Sequence, residues 1–314
     1  MAKVELRGDM RKNIPNEPRE FDELLLRVDR QLADEGMRIH MRPLHALRVI
    51  STEFGIPLPL GPLPPGMVHP AGRYWPISER IRTWYERRYG DRLKVHLGPG
   101  RMAFLIENDV WVFRFPRCYG AVRFTASRTV KSVLMRTNGE PAIYNILDCI
   151  EKLPEGLRHS LSDSHLGQLF DHFMLGFEGL RQLQTLAGDE LVKSAFADIA
   201  ACVDHISGNS PNYGLAKWSS LQAAEKVLKA GIRKTSAEFP KTHELSRLVK
   251  EARDAGLDLH SQGAIVKLQC GPGIRYGEEL CTLAQAVEAH HAVFELSCEV
   301  AGALRKFPKR SAGK

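Results

Sequence analysis

The stretch Tyr213–Ala230, Y-G-L-A-K-W-S-S-L-Q-A-A-E-K-V-L-K-A, sets the reading of the C-terminal part of this 314-residue chain. Its apolar residues recur at three- and four-residue steps, and the loop G-N-S-P-N-Y-G at 208–214 leads into it, so it predicts a helix over 213–234. Glu225 and Lys229 fall four apart on one face of that helix, with the acid on the N-terminal side, the orientation in which such a pair attracts. Next comes F-P-K-T-H-E-L-S-R-L at 239–248, where Thr242 is expected to cap a helix over 242–254 and to set His243 in its first turn. Free amide protons and the helix dipole favour an anion there. Then I-R-Y-G-E-E at 274–279 precedes a last, long helix over 278–306, whose apolar stripe of Leu280, Leu283, Val287, Val293, Phe294 and Val300 is more than one intramolecular face needs and is expected to join a second copy.

The series resembles the HEPN family of small helical bundles. The residues that carry the resemblance are Ala224, Glu225, Lys229, Ala230, Thr242, His243, Glu244, Leu245, Arg275 and Tyr276, and it covers the last third of the chain. It implies a helical bundle with a polar patch, a homodimer formed through the last helices, and nucleotide or RNA as ligand, with no cofactor. Glu225, Lys229, His243, Arg275 and Tyr276 are the implied ligand-binding set. HEPN ribonucleases carry R-x4–6-H at the start of the last helix. From Arg275 the next histidines are His290 and His291, too far along, and the nearest spacings, Arg38 to His45 and Arg158 to His165, lie outside the matched region. The expectation is therefore a HEPN-like module that binds nucleotide or RNA without cleaving it. The alternatives are a metal-independent ribonuclease in a toxin or phage-defence role, using a non-standard set from His243, Arg275 and His290, and a structural adaptor.

Upstream, Ser164–Leu186 and Asp189–Ile206 show helical periodicity, as does Ala142–Lys152. Strand signals lie between 93 and 136: L-K-V-H-L, M-A-F-L-I, V-W-V-F-R-F, A-V-R-F-T-A and T-V-K-S-V-L-M-R, the last ended by Asn138-Gly139. They predict one small antiparallel sheet of three to five strands. Nearer the N-terminus, helices are expected over 19–35 and 42–54, separated by the stop at Gly36, with Pro43 tolerated in the first turn of the second. Six prolines between 57 and 70 make a stiff linker. A helix over 78–90, capped by Ser78, interleaves Arg80, Arg82, Arg87 and Arg88 with Trp84, Tyr85 and Tyr89, a pattern suited to single-stranded nucleic acid. The fold class is α+β: an N-terminal α+β region over 1–140, connecting helices over 141–187 and a HEPN-like up-and-down bundle over 188–308.

Composition narrows the function classes. The chain is 43% hydrophobic and 26% charged, ordinary for a globular protein, with a formal charge of +7 and a pI near 9.1 that favour acidic partners. Its six cysteines include no C-x-x-C pair, which argues against a zinc ribbon or a disulfide framework and for a reducing, cytoplasmic setting. The polar start, M-A-K-V-E-L-R-G-D-M, is unlike a signal peptide, and no apolar run reaches membrane-spanning length. H-E-x-x-H, nucleotide-binding glycine loops and nucleophile elbows are absent, and no metal site is expected.

Overall fold

The structure, a computed structural model, describes residues 14–61, 69–93, 98–134, 140–235, 237–260 and 262–307. Its contacts divide the chain into two units, Met1–His96 and Leu97–Lys314.

The first unit is a three-helix assembly of α1 (Pro18–Asp34), α2 (Arg42–Phe54) and α3 (Trp75–Tyr89). Proline opens each helix in its first turn, where the missing amide proton costs nothing. Gly55, at φ +61, ends α2 in the left-handed conformation that a side chain disfavours. The apolar stripe of α1 packs with Leu47 and Ile50 of α2 and Ile81 and Tyr85 of α3. Asp29 is buried in the same interior and is satisfied there. Tyr89 donates its hydroxyl to Asp29 Oδ2 at 2.5 Å, Arg42 Nη1 lies 3.4 Å from Oδ1, and Arg88 Nε lies 3.6 Å from Oδ2. Because α3 starts at Trp75, Ser78 is not its cap. It lies inside the helix, buried, with its hydroxyl unpartnered among the described residues. Of the proline-rich linker, residues 62–68 lie outside the described residues, as do L-K-V-H-L from 94 on and Asn138-Gly139.

The second unit holds all the described strands and the bundle. β1 (Arg101–Ile106) and β2 (Asp109–Arg114) form an antiparallel hairpin, with Arg101 opposite Arg114 and Ile106 opposite Asp109. Met102, Phe104 and Ile106 alternate into the core beside Phe113 and Phe115. The single antiparallel sheet of three to five strands is corrected: β3 (Val122–Thr125) pairs with β4 (Ala142–Asn145) in parallel, as a separate two-stranded sheet. The intervening chain returns beside β4, where Val133 bridges Ile143 in antiparallel fashion.

The helix expected over 142–152 is also corrected, to β4 followed by a 3-10 turn at Ile146–Cys149. β4 finds its backbone partners in β3, and buried Asn145 fixes the loop beside it. Its amide nitrogen donates to the carbonyls of Ser127 and Val130, and its amide oxygen accepts from Ser127 and Leu147.

Among the described residues seven further helices and a 3-10 turn follow: α4 (Glu155–Ser160), α5 (Asp163–Thr185), α6 (Glu190–Ser207), α7 (Tyr213–Lys234), α8 (Leu245–Asp254), α9 (Gln262–Leu268), the turn Pro272–Tyr276, and α10 (Leu283–Lys306). α10 packs on α5, α7 and α9, and α7 also packs on α6 and α8. Gly179 allows α5 to approach α10 closely, since a Cβ there would stand 2.6 Å from Phe294 Cβ. Most of the apolar stripe expected to join two copies is spent inside the bundle: Val287, Val293, Phe294 and Val300 are buried and Leu283 is half-buried. Leu280, at 96% exposure, precedes the helix and stands clear of that packing.

Candidate functional site

Trp218, Glu225, Lys229 and Arg233 are spaced seven, four and four residues apart, so they share one face of α7. Asn212 caps this helix, accepting from the Leu215 amide at 2.9 Å. Two loops lie against that face. The first, leading into α8, brings Phe239 and His243. The second is the turn Pro272–Tyr276, which presses on the start of α7 so closely that a Cβ on Gly214 would stand 2.3 Å from the Ile274 carbonyl oxygen. That close approach seats Arg275 over Trp218.

Glu225 is the centre of the arrangement. It is 7% exposed and Lys229 is 9% exposed. Lys229 Nζ lies 2.6 Å from Glu225 Oε1, and His243 Nδ1 lies 2.7 Å from Oε2. Burying the carboxylate is tolerable because both oxygens are paired. The Lys229 ammonium also sits 5.5 Å from the centre of the Phe239 ring, which Arg233 approaches at 5.3 Å. Next to Glu225 on α7, Lys226 pairs with Asp198 of α6, whose pKa burial pushes up while the lysine pulls it back.

The His243 side chain is 71% exposed, and its ring lies 6.5 Å from that of Trp218. The Arg275 guanidinium stacks on Trp218 at 4.4 Å from the ring centre, with Tyr276 at 5.1 Å. Arg275 Nε donates to the Pro272 carbonyl at 3.4 Å, and its terminal amino groups make no hydrogen bond or ion pair among the described residues. Tyr276 is 72% exposed. The five residues expected from the sequence thus gather around α7. Two of them form a buried ion pair, and His243, Arg275 and Tyr276 face outward beside a tryptophan.

Residues 189–269, which contain α6, α7, α8 and α9, match the family model described as HEPN domain. The C-terminal helical region is HEPN-like. No curated protein and no solved structure matches the chain. The match points the HEPN-like region toward nucleotide- or RNA-related function; Arg275, Tyr276 and α10 lie beyond the matched residues.

Thr242 does not cap the next helix of the HEPN-like region. Its hydroxyl accepts from the Glu244 amide at 3.1 Å in a local turn, α8 begins at Leu245, and Gln269 Oε1 accepts from the Leu245 amide at 2.9 Å. His243 therefore precedes the helix instead of lying in its first turn, and its orientation comes from Glu225.

His290 stands apart from this surface. It is fully buried, and its Nε2 accepts from the Ala103 amide at 3.2 Å, while His291 Nε2 bonds the Ala103 carbonyl at 2.9 Å. The two histidines of α10 thereby satisfy both backbone groups of one β1 residue. Burial drives the His290 pKa well below the ordinary histidine value and takes that of His291 down to about 4. The R-x6-H spacing of Arg158 and His165 is structural as well: Arg158 is buried against Asp148 at 2.5 Å, and His165 completes the capping box of α5 with Ser162.

In the first unit α3 carries the expected basic–aromatic set, but Trp84 is buried in the core with Arg88 at 5.3 Å from its ring. Arg80 stacks on Phe21 at 3.9 Å and Arg82 on Trp75 at 5.1 Å. Arg87 and Arg88 are exposed. A shallow cleft of about 600 Å³ lies between α1 and α3, lined by Phe21, Trp75, Arg80, Trp84 and Arg87 among others.

Among the described residues no cluster of three or more His, Cys, Asp or Glu side chains could hold a metal ion, and no helix is long and apolar enough to cross a membrane. Sequence reasoning missed Trp218 and Phe239. The signal for Trp218 was its position two helical turns before Glu225, on the same face.

Proposed function

We propose that the HEPN-like region binds nucleotide or RNA at the surface formed by Trp218, His243, Arg275 and Tyr276, and does not cleave it. The observation that carries this reading is the Arg275 guanidinium, held over the Trp218 ring at 4.4 Å with its terminal amino groups unpaired among the described residues. A guanidinium fixed in that way presents a fork matched to phosphate oxygens, and the stack limits the side-chain entropy lost on binding. Tyr276 adds an exposed ring on which a base can stack. Release of counterions from the phosphates then contributes most of the affinity, in keeping with the net charge of +7.

The second reading is a ribonuclease, and one observation favours it: His243 and Arg275 approach the same tryptophan ring. General acid–base work needs the histidine within about 3 Å of a ribose hydroxyl while a cation faces the phosphate. His290 has no part in either reading, because it is sealed in the interior.

The deciding experiment measures binding of a fluorescent single-stranded RNA by anisotropy and its integrity on a denaturing gel, with and without divalent metal. Arg275→Ala is expected to weaken binding by about tenfold or more, as a charge-assisted bond to phosphate implies, and the RNA is expected to stay intact. Cleavage that disappears in both His243→Ala and Arg275→Ala overturns the binding-only reading in favour of the ribonuclease. Equal binding by wild type and Arg275→Ala removes this surface from the function.

A further inference from the structure

The bonds around Glu225 have one chemical solution. An ionised carboxylate only accepts and an ammonium only donates. Lys229 takes Oε1 at 2.6 Å, so the contact between Oε2 and His243 Nδ1 at 2.7 Å requires the proton to be on Nδ1. In the neutral ring Nε2 is then a bare lone pair, and the ring is largely open to solvent. Both Glu225 and Lys229 are too deeply buried to reach a ligand themselves.

We propose that Glu225 and Lys229 are positioning residues, which fix His243 as a hydrogen-bond acceptor at Nε2. This deepens the binding site described above and rests on that reading for its ligand. An acceptor there repels phosphate oxygens and takes a hydroxyl or N–H. The site thus selects a ligand that carries such a donor close to the phosphate held by Arg275, as a ribose hydroxyl does. Lys229 contributes by settling which oxygen of residue 225 faces the ring.

The first readout needs no ligand. Long-range proton–nitrogen correlation on histidine-labelled protein, at a pH where the ring is neutral, is expected to show His243 as the Nδ1–H tautomer. The peak is assigned by its loss in His243→Asn. Glu225→Gln is expected to invert it. Lys229 can only donate, so it captures the amide oxygen of the new glutamine and turns the amide nitrogen toward His243, whose Nδ1 must then accept. Adding Lys229→Met frees the amide to turn, and a mixture of tautomers is expected.

The second readout compares a fluorescent oligouridylate with its 2′-O-methyl form, whose O2′ accepts but cannot donate. One hydrogen bond of this kind is worth roughly threefold to tenfold in affinity. Wild type should prefer the hydroxyl form by that factor, and Glu225→Gln should lose the preference. A wild-type ring protonated at Nε2 overturns the assignment whatever the variants do, including a Glu225→Gln protein that fails to fold. A single unchanged tautomer in the double variant removes Lys229 from the mechanism. Inverted tautomer with unchanged preference overturns the ligand selection. Tautomers as expected with no binding of either oligonucleotide uphold the positioning assignment and sink the binding reading instead.

Discussion

Acid should loosen the second unit well before its carboxylates titrate. When the pH falls from about 7.5 to about 5, His290 and His291, whose ring nitrogens hold the Ala103 amide and carbonyl, respond together with His172, whose pKa burial also lowers. His291 faces His172 of α5 at 5.0 Å between ring centres, and Lys267 of α9 adds a like charge; Asp171 lies beside His172. Burial is the first cause of the depressed His291 value of about 4, against 6.5 for a free histidine. The unfolded chain therefore binds a proton below about pH 6.5 that the folded chain refuses until about pH 4, so stability falls as pH falls through that window. With 1.36 kcal/mol per decade, His291 alone accounts for a loss of up to about 2 kcal/mol at about pH 5. His290, shifted the same way by complete burial, adds to it. The carboxylates with lowered values, Asp148, Glu155 and Glu178, start from 3.8 or 4.5 and lose their contribution at lower pH, and Asp198, raised by burial, acts in the opposite sense, so a loss of stability above about pH 5 belongs to the buried histidines. For a unit of this size 2 kcal/mol corresponds to a Tm lower by roughly 4–8 °C. Thermal unfolding followed by circular dichroism at the two pH values measures it. His291→Gln keeps a donor for the Ala103 carbonyl but cannot titrate, and should flatten the pH dependence whatever it does to the absolute Tm. A Tm that is level between the two pH values, or a slope unaltered by His291→Gln, would show that the α10 histidines do not govern the response to acid.

Three further outcomes are expected. Glu225→Leu strands the Lys229 charge in the interior and should cost about 3 kcal/mol or more in denaturant unfolding, while adding Lys229→Met should recover a large part of the loss; equal stability of single and double variants would show that the pair is not coupled. Gly179→Ala forces a methyl group to within 2.6 Å of Phe294 Cβ and should destabilise by about 1–3 kcal/mol despite the better helix propensity of alanine, so a raised Tm would show that α5 and α10 have room to part. Changing Arg87 and Arg88 together to Ala should lower RNA affinity and reduce the dependence on salt between about 50 and 200 mM, because every phosphate that the protein no longer neutralises lowers the salt slope by about one; an unchanged slope excludes α3 from nucleic-acid binding.

What was legible in the sequence is what local chemistry determines. The bounds of α2 and α7 could be read because Pro43, Gly55 and the G-N-S-P-N loop punctuate them. Residues 142–152 could not be read. Ile143, Ile146, Leu147 and Ile150 satisfy helical spacing, and only a strand seventeen or more residues upstream makes them β4 and a turn. The partner of the stripe on α10 could not be read for a related reason. A helix surrounded by α5, α7, α9 and β1 needs apolar residues on several faces, and one helix read alone cannot say whether the surplus meets its own chain or another copy.

The candidate site divides along the same line. Glu225 and Lys229 share a helix, so their pairing follows from their spacing, whereas the bond from Glu225 to His243 spans eighteen residues and a reversal of the chain. The tertiary contact is the one on which the proposed function depends. It replaces the helix-dipole role that the sequence suggested for His243 with a contact of 2.7 Å between Nδ1 and a buried carboxylate. A histidine in the first turn of a helix is tuned by the backbone and serves any anion. One held by a buried, lysine-paired carboxylate is tuned by two side chains and presents a directed acceptor. Arg275, stacked on Trp218, then supplies the cationic half of the site. Under the proposed reading that surface would meet a phosphate and its neighbouring donor together, and the arrangement itself arises only because two loops distant in sequence lie over one face of α7.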